Sequence, residues 1–214
     1  MLDKWTGRWV APALNRLAGG LGERGVTPAQ LTLGGFAAGM LALPLLACQM
    51  YGLALVAIII NRLCDGLDGA LARHLQRQSD AGGFLDIALD FVFYAAVVLG
   101  FALADPERNA LPAALLLFAF VGTGSSFLAF AIAATRHGLE RPRFEHKAFY
   151  YLDGLTEGTE TILAFVVFCL WPEEFALLAT LFAVACLVTT ATRVAGGYRA
   201  LLAAERSSSD RQEV

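Results

Sequence analysis

From Gly25 to Asn61 the chain carries no Asp, Glu, Lys or Arg. A bilayer core is crossed by roughly 20 apolar residues of helix, so this run is too long for one crossing. It breaks at Gln49 to Gly52 and reads as two membrane-spanning helices. Composition extends the argument to the whole chain. Its 214 residues are 57% hydrophobic and 16% charged, whereas about a quarter of the residues in a soluble domain are charged.

Hydropathy predicts an all-α membrane protein with six transmembrane helices, near Leu31–Cys48, Leu53–Leu71, Gly83–Ala104, Ala110–Thr135, Gly154–Trp171 and Phe175–Ala203. The fifth needs Glu157 and Glu160 near its first turns, because its uncharged part is too short to span alone. Trp5, Trp9, Leu14 and Leu17, with Lys4, Arg8 and Arg16 between them, suggest an N-terminal interfacial amphipathic helix that Pro12 interrupts or begins. No apolar h-region precedes a small-residue cleavage site, so this segment is not read as a signal peptide. Thr27-Pro28 has the form of an N-cap followed by proline at the first helical position. Residues 1–206 form one expected domain, and Ser207 to Val214 an expected disordered polar tail.

Basic residues orient the spans. Lys4, Arg8, Arg16 and Arg24 precede the first span, and Arg62, Arg73 and Arg77 surround the second junction. Arg136, Arg141, Arg143 and Lys147 lie between spans four and five, and Arg193, Arg199, Arg206 and Arg211 mark the C-terminal end. Fifteen of the sixteen Lys and Arg therefore fall on one side, leaving Arg108 for the other. Both termini are expected to be cytoplasmic.

The chemistry concentrates between Asp65 and Asp90, in DGLDGALARHLQRQSDAGGFLDIALD. On helices, Asp65 and Asp68 are i, i+3 and Asp86 and Asp90 are i, i+4, so each pair shares a face. The polar stretch from His74 to Ala81 suits a short connection between antiparallel neighbours. Four carboxylates then converge at the cytoplasmic ends of spans two and three. Each is costly in a membrane helix, and together they raise one another's proton affinity. Divalent cations relieve both problems, and an all-oxygen ligand set favours Mg²⁺ or Mn²⁺ over Zn²⁺. The plainer alternative is that these aspartates cap helices or pair with Arg62, Arg73 and Arg77.

The segment fits D-x2-D-G-x2-A-R-x8-G-x3-D-x3-D at Asp65, Asp68, Gly69, Ala72, Arg73, Gly82, Asp86 and Asp90. It resembles the signature of the CDP-alcohol phosphotransferase (CDP-alcohol phosphatidyltransferase) family of integral membrane enzymes. The resemblance implies transfer of a substituted phosphate from a CDP-alcohol, in particular CDP-diacylglycerol, to an acceptor alcohol with release of CMP. It also implies two Mg²⁺ or Mn²⁺ ions on Asp65, Asp68, Asp86 and Asp90, with Asp90 as general base. Gly69 and Arg73 match positions that hold the CDP moiety, and Ser79 matches a small hydroxyl residue near the diphosphate. VTPAQLT resembles the family's start of span one, making Ala29, Gln30, Leu31 and Thr32 candidate nucleotide contacts. Two metals can stabilise attacking and leaving oxygens together. Glycine at 69 admits close approach to the backbone, and a guanidinium at 73 suits phosphate oxygens or, alternatively, lipid phosphates.

By resemblance to family members that use phosphorylated acceptors, Arg136, Lys147 and Arg193 are candidate acceptor contacts, but YYLDGLTEGTET sets Asp153, Glu157 and Glu160 at the start of span five. Glu157 and Glu160, i, i+3 on one face, bind acceptor hydroxyls or an amine on one reading. On the other they form an internal network with Arg193 or nearby hydroxyls. The motif resembles a bacterial inner-membrane subgroup and does not define the acceptor. A divalent-cation transporter is the alternative class; it wants ionisable groups near the midplane and a path to both faces, whereas these carboxylates sit at one end. Gly35 and Gly39, and the small face from Gly122 to Ser126, suit helix contacts, within the chain or between subunits of a homodimer. Cys48, Cys64, Cys169 and Cys186 are scattered in apolar stretches and read as reduced packing residues. His74, His137 and His146 read as solvated loop residues. A net charge of −3 gives no sign of a nucleic-acid partner; the expected partners are the two substrates and membrane lipid.

Overall fold

The computed structural model describes residues 14–136 and 156–209, with side chains for 14–135 and 156–206. Among the described residues every regular element is helical. α1 spans residues 14–23, followed by α2 (Pro28–Met40), α3 (Ala42–Ala47), α4 (Tyr51–His74), α5 (Asp80–Ala104), α6 (Pro106–Arg136), α7 (Gly158–Leu170) and α8 (Phe175–Ser209). A short 3-10 turn, Pro172–Glu174, joins the last two. Four segments are long and apolar enough to cross a membrane: Pro28–Ala47, Asp80–Ala104, Pro106–Thr135 and Pro172–Arg206.

Local chemistry sets the helix ends that matter for the site. Thr27 caps α2, accepting from the Gln30 N–H while the Gln30 side chain accepts from the Thr27 N–H, and Pro28 follows at the first helical position. α4 ends with Gln76 in the left-handed region at φ 53°. The Gln76 N–H bonds Arg73 O at 3.2 Å and the Arg77 N–H bonds Ala72 O at 2.9 Å, the paired bonds of a Schellman ending. The chain then turns to Ser79, whose Oγ accepts from Gly82 N–H at 3.1 Å and starts α5.

The first span is in two pieces. Pro44 has no N–H to bond the Met40 carbonyl, so the helix breaks at Leu41 and restarts as α3. The second difference concerns the C-terminus. α8 runs to Ser209, so the first three residues of the expected tail are helical; the helix-forming Ala203, Ala204, Glu205 and Arg206 carry the winding past 206. Cys48 is exposed at the end of α3 rather than packed, while Cys169 and Cys186 are buried and all four are free thiols. Lys4, Trp5, Arg8, Trp9, Pro12, His137, Arg141, Arg143, His146, Lys147, Asp153 and residues 210–214 lie outside the described residues, as does the side chain of Arg136. The N-terminal helix is therefore seen only as α1, where buried Ala18, with Leu14 beside it, packs against Ala70 and Leu71 of α4.

Packing relies on close approach and aromatic layers, since lipid supplies no hydrophobic drive between helices. Gly35 and Gly39 of α2 abut Cys64 and Asn61 of α4 in the same chain, and Gly122 of α6 abuts Thr190 of α8. At the end opposite the carboxylates, Phe101 stacks on Phe175 with centroids 4.5 Å apart and meets Phe168 edge-on at 5.9 Å. Tyr51 stacks on the same ring. Polar ties close this end. Gln49 Nε2 donates to Ala104 O at 2.9 Å, Asn109 Nδ2 to Phe101 O at 3.0 Å, and Arg108 Nη2 to Glu173 O at 3.1 Å.

Candidate active site

α2 packs against both α4 and α5, whereas α4 and α5 do not pack closely on each other. The two helices are neighbours across a cavity, meeting through side chains such as Arg62 and Asp90 and not in close backbone contact. Facing carboxylates repel, and the space between the two helices is left to them. Asp65 and Asp68 from α4 and Asp86 and Asp90 from α5 all border one small cavity, with Thr32, Phe36, Asn61 and Leu89. Its volume is about 10 Å³, which is roughly one water-sized occupant.

Two residues hold the carboxylates in place. Thr32 of α2 donates its hydroxyl to Asp68 Oδ2. Arg62, one turn before Asp65, forms an ion pair with Asp65 and brings Nη1 to 3.8 Å from Asp90 Oδ2. The alternative in which an arginine serves the aspartates is thus realised in part, by Arg62. Among the described residues no three Asp, Glu, His or Cys stand in a ready-made metal cluster. The donor set nevertheless suits a hard divalent ion: four carboxylates, a hydroxyl and an amide around one cavity in otherwise apolar helices.

A broad groove of about 740 Å³ opens from Asp68 and Asp86 along the ends of α2, α4 and α5. Gly69, Arg73 and Ser79 line it, with Ala29, Thr32, Arg77 and Gly82. Gly69 faces Arg73, since a Cβ there would lie 3.4 Å from Arg73 Nη1. Gln30 and Leu31 are occupied elsewhere. Gln30 completes the Thr27 cap, and Leu31 packs beside Ala18, Ala70 and Leu71.

On the other side of Asp90 lies a second cavity of about 310 Å³, walled by Phe91, Tyr94, Phe120 and Phe127 and by Thr123, Thr161, Glu157 and Arg193. Asp90 borders both cavities. Tyr94 Oη donates to Asp90 Oδ2 at 3.3 Å. Arg193 donates to Thr123 O at 3.4 Å and lies 5.8 Å from the centre of the Phe127 ring. Glu157 and Glu160 are divided. Glu157 is the N-cap of α7 and borders this cavity, while Glu160 accepts from the Glu157 N–H at 3.2 Å and lines an outer groove with Leu163 and Val167. Starting the helix at Gly158 puts Glu157 outside it, so the expected shared face does not form.

Sequence reasoning did not assign Asn61 or Tyr94 to the site and gave Arg62 only as a generic partner. One signal was available for all three: Asn61 and Arg62 precede Asp65 by about one turn, and Tyr94 follows Asp90 by one turn.

Known proteins resemble this chain over most of its length. Residues 25–192 match the CDP-alcohol phosphatidyltransferase family. The inner membrane protein YnjF of Escherichia coli is 56% identical over 206 residues, covering 96% of this chain and all of that protein. The archaetidylinositol phosphate synthase of Pyrococcus horikoshii is 38% identical over 99 residues, 46% of this chain and 53% of that one. Among solved structures, the phosphatidylinositol phosphate synthase PgsA1 of Mycobacterium tuberculosis with CDP-DAG bound shares the fold at a TM-score of 0.63 and 23% identity, covering 86% of this chain and 93% of that one. The same enzyme in complex with manganese and citrate superposes at 0.62, again at 23% identity, covering 86% and 88%. With the match extending over most of its length, the chain belongs to the CDP-alcohol phosphatidyltransferase family, membrane transferases of phospholipid biosynthesis.

Proposed function

We propose that this protein transfers a phosphatidyl group from CDP-diacylglycerol to an acceptor alcohol and releases CMP. The observation that carries the reading is the position of Asp90, a carboxylate shared between the four-aspartate cavity and the separate 310 Å³ cavity. The proposed donor groove runs out from Asp68 and Asp86, which share the four-aspartate cavity with Asp90, and Asp90 alone of the four also borders the proposed acceptor cavity, which supports a role for this carboxylate between donor and acceptor.

Asp65, Asp68, Asp86 and Asp90 would hold two divalent ions, Mg²⁺ or Mn²⁺. When bound, these ions supply positive charge to the reacting phosphate and to the oxygen that leaves with CMP. Since the cavity has room for one small occupant, a second ion requires Arg62 to give up Asp65 and Asp90.

The chain's own groups do the rest. Arg73 and the backbone at Gly69 receive the diphosphate and the base, and Ala29 and Thr32 border the same groove. Ser79 Oγ spends a lone pair on Gly82 N–H but keeps its hydroxyl proton to donate to a phosphate oxygen. Phe84, 75% exposed between groove residues Gly83 and Leu85, gives the groove an apolar margin that suits a donor with acyl chains. Asp90 takes the proton of the incoming hydroxyl, and the Tyr94 hydroxyl orients it. Glu157 and Arg193, with Thr123 and Thr161, border the space for the acceptor. A carboxylate on that wall favours hydroxyls or an amine over a phosphate.

The remaining helices complete the membrane reading. With α4 as the second crossing and α7, whose 13 residues fall short of a full crossing by themselves, as part of the fifth, the bundle has six spans, both termini and the carboxylates at the cytoplasmic face, and residence in a bacterial inner membrane. The distribution of Lys and Arg supports this orientation.

Purified protein should release CMP from CDP-diacylglycerol with Mg²⁺ or Mn²⁺ only when a suitable alcohol from a panel is added. No CMP with any acceptor, together with divalent-cation uptake into vesicles carrying the protein, would replace the enzyme reading with a transporter.

A further inference from the structure

Asn61 stands on α4 one turn before Asp65, is 6% exposed and borders the four-aspartate cavity. Its amide has one workable orientation. Nδ2 donates to the Gly35 carbonyl of α2 at 3.2 Å, and the flipped amide would set an oxygen against that oxygen. Oδ1 is thereby fixed, fully buried and without a partner among the described residues. A buried amide oxygen without a donor is costly, and native structures almost always satisfy it. The helix surface is nonetheless shaped for this side chain, since a Cβ on Gly39 would fall 2.8 Å from Asn61 Cβ and 2.9 Å from Nδ2.

An apolar residue of the same size would fill the notch without leaving an oxygen bare. The oxygen therefore has its use in a state with the cavity occupied, and beside four carboxylates the fitting occupant is a hard cation. We propose that Asn61 is a positioning residue for the divalent-ion site, its Oδ1 serving as a neutral oxygen toward the ion or toward a water on it. This rests on the two-metal reading of the aspartates given above. Asn61 would set how tightly the ion is held while adding no charge to a crowded site.

The test is Mn²⁺ binding to the purified full-length protein, followed by the electron paramagnetic resonance of free Mn²⁺, for wild type, Asn61→Leu and Asn61→Asp. Thermal unfolding without metal checks that each variant folds. A purely structural role lies in the bond to Gly35, and both variants lose that donor, so both would behave alike. The proposal expects opposite behaviour: Asn61→Leu binding roughly 10–100-fold more weakly, and Asn61→Asp binding as tightly as wild type or more so. Equal weakening in both, or unchanged binding in Asn61→Leu, would overturn it. Should Asn61→Leu not fold, Asn61→Asp decides alone, weaker binding than wild type overturning the proposal. A wild-type protein that binds no Mn²⁺ would instead overturn the metal reading of the aspartates, a result distinct from any pattern among the variants.

Discussion

Gly35→Ala probes whether the carboxylate site depends on the closeness of α2 and α4. An ideal Cβ on Gly35 would lie 2.4 Å from Cys64 Cβ, where ordinary carbon contacts are about 3.5–4.0 Å. The obstructing atom is itself a Cβ, so no change of rotamer clears it and the two helices must separate by about 1 Å. The same shift would stretch the 3.2 Å bond from Asn61 to Gly35 O beyond hydrogen-bonding range and pull Thr32 from Asp68. Overpacking costs about 1–3 kcal/mol and the lost bond about 0.5–1.5 kcal/mol. The better helix propensity of alanine returns about 1 kcal/mol, so a net loss of about 1–3 kcal/mol is expected. Thermal unfolding in a fixed detergent measures it. A cycle with Cys64→Gly isolates the contact, because the double variant gives the new methyl the space that the Cys64 side chain vacates. A coupling of about 1–2 kcal/mol in favour of the double variant is expected. A Gly35→Ala protein as stable as wild type, or strictly additive effects in the cycle, would refute the reasoning.

Four further outcomes follow from the site. CMP release should stop in excess chelator and return with Mg²⁺ or Mn²⁺, and Asp68→Asn or Asp86→Asn should abolish it while circular dichroism stays unchanged; full activity in chelator would contradict this. Asp90→Asn should lower turnover by about 10²–10⁴-fold and weaken CDP-alcohol binding far less, which separate rate and binding measurements distinguish. Glu157→Gln should raise the KM for the acceptor several-fold and leave donor affinity alone; unchanged acceptor kinetics would favour the internal-network reading of Glu157, its place at the start of α7 included. Arg62→Gln should make the apo protein less heat-stable and its thermal midpoint more responsive to Mn²⁺, because Asp65 and Asp90 lose their internal cation; equal Mn²⁺ responses in both proteins would argue against that role.

The aspartate spacing was legible because its chemistry operates within single helices, where i, i+3 and i, i+4 fix a shared face. The connection between α4 and α5 was legible from the polar stretch His74 to Ala81, although the helices run to His74 and from Asp80, three residues beyond the spans that hydropathy marks. What stayed hidden depends on the register between helices. Nothing near Thr32 announces that it reaches Asp68, thirty-six positions away. The sequence around Asn61 does not reveal that Gly35 and Gly39 open a notch for it, and the width of the gap between α4 and α5 is set by α2 packing on both. Glu157 shows the limit of periodicity near a helix end. One residue decides whether i, i+3 partners share a face or divide into a cap and its reciprocal partner, and hydropathy does not resolve one residue.

The aromatic layer around Phe101, with the ties from Gln49, Arg108 and Asn109, gives the bundle a mechanical character. That end is fastened, whereas at the carboxylate end α4 and α5 meet across a small cavity and the charged side chains that border it, so the protein is built like forceps with the pivot far from the jaws. α5 has 25 residues, about 37 Å at 1.5 Å per residue, and a tilt of about 3° at the pivot displaces the far tip by about 2 Å. A tilt of that size would widen the groove while every ring at the pivot keeps its neighbours. If the bundle flexes in this way, amide hydrogen exchange should be slowest around Phe101 and quicken toward Asp80.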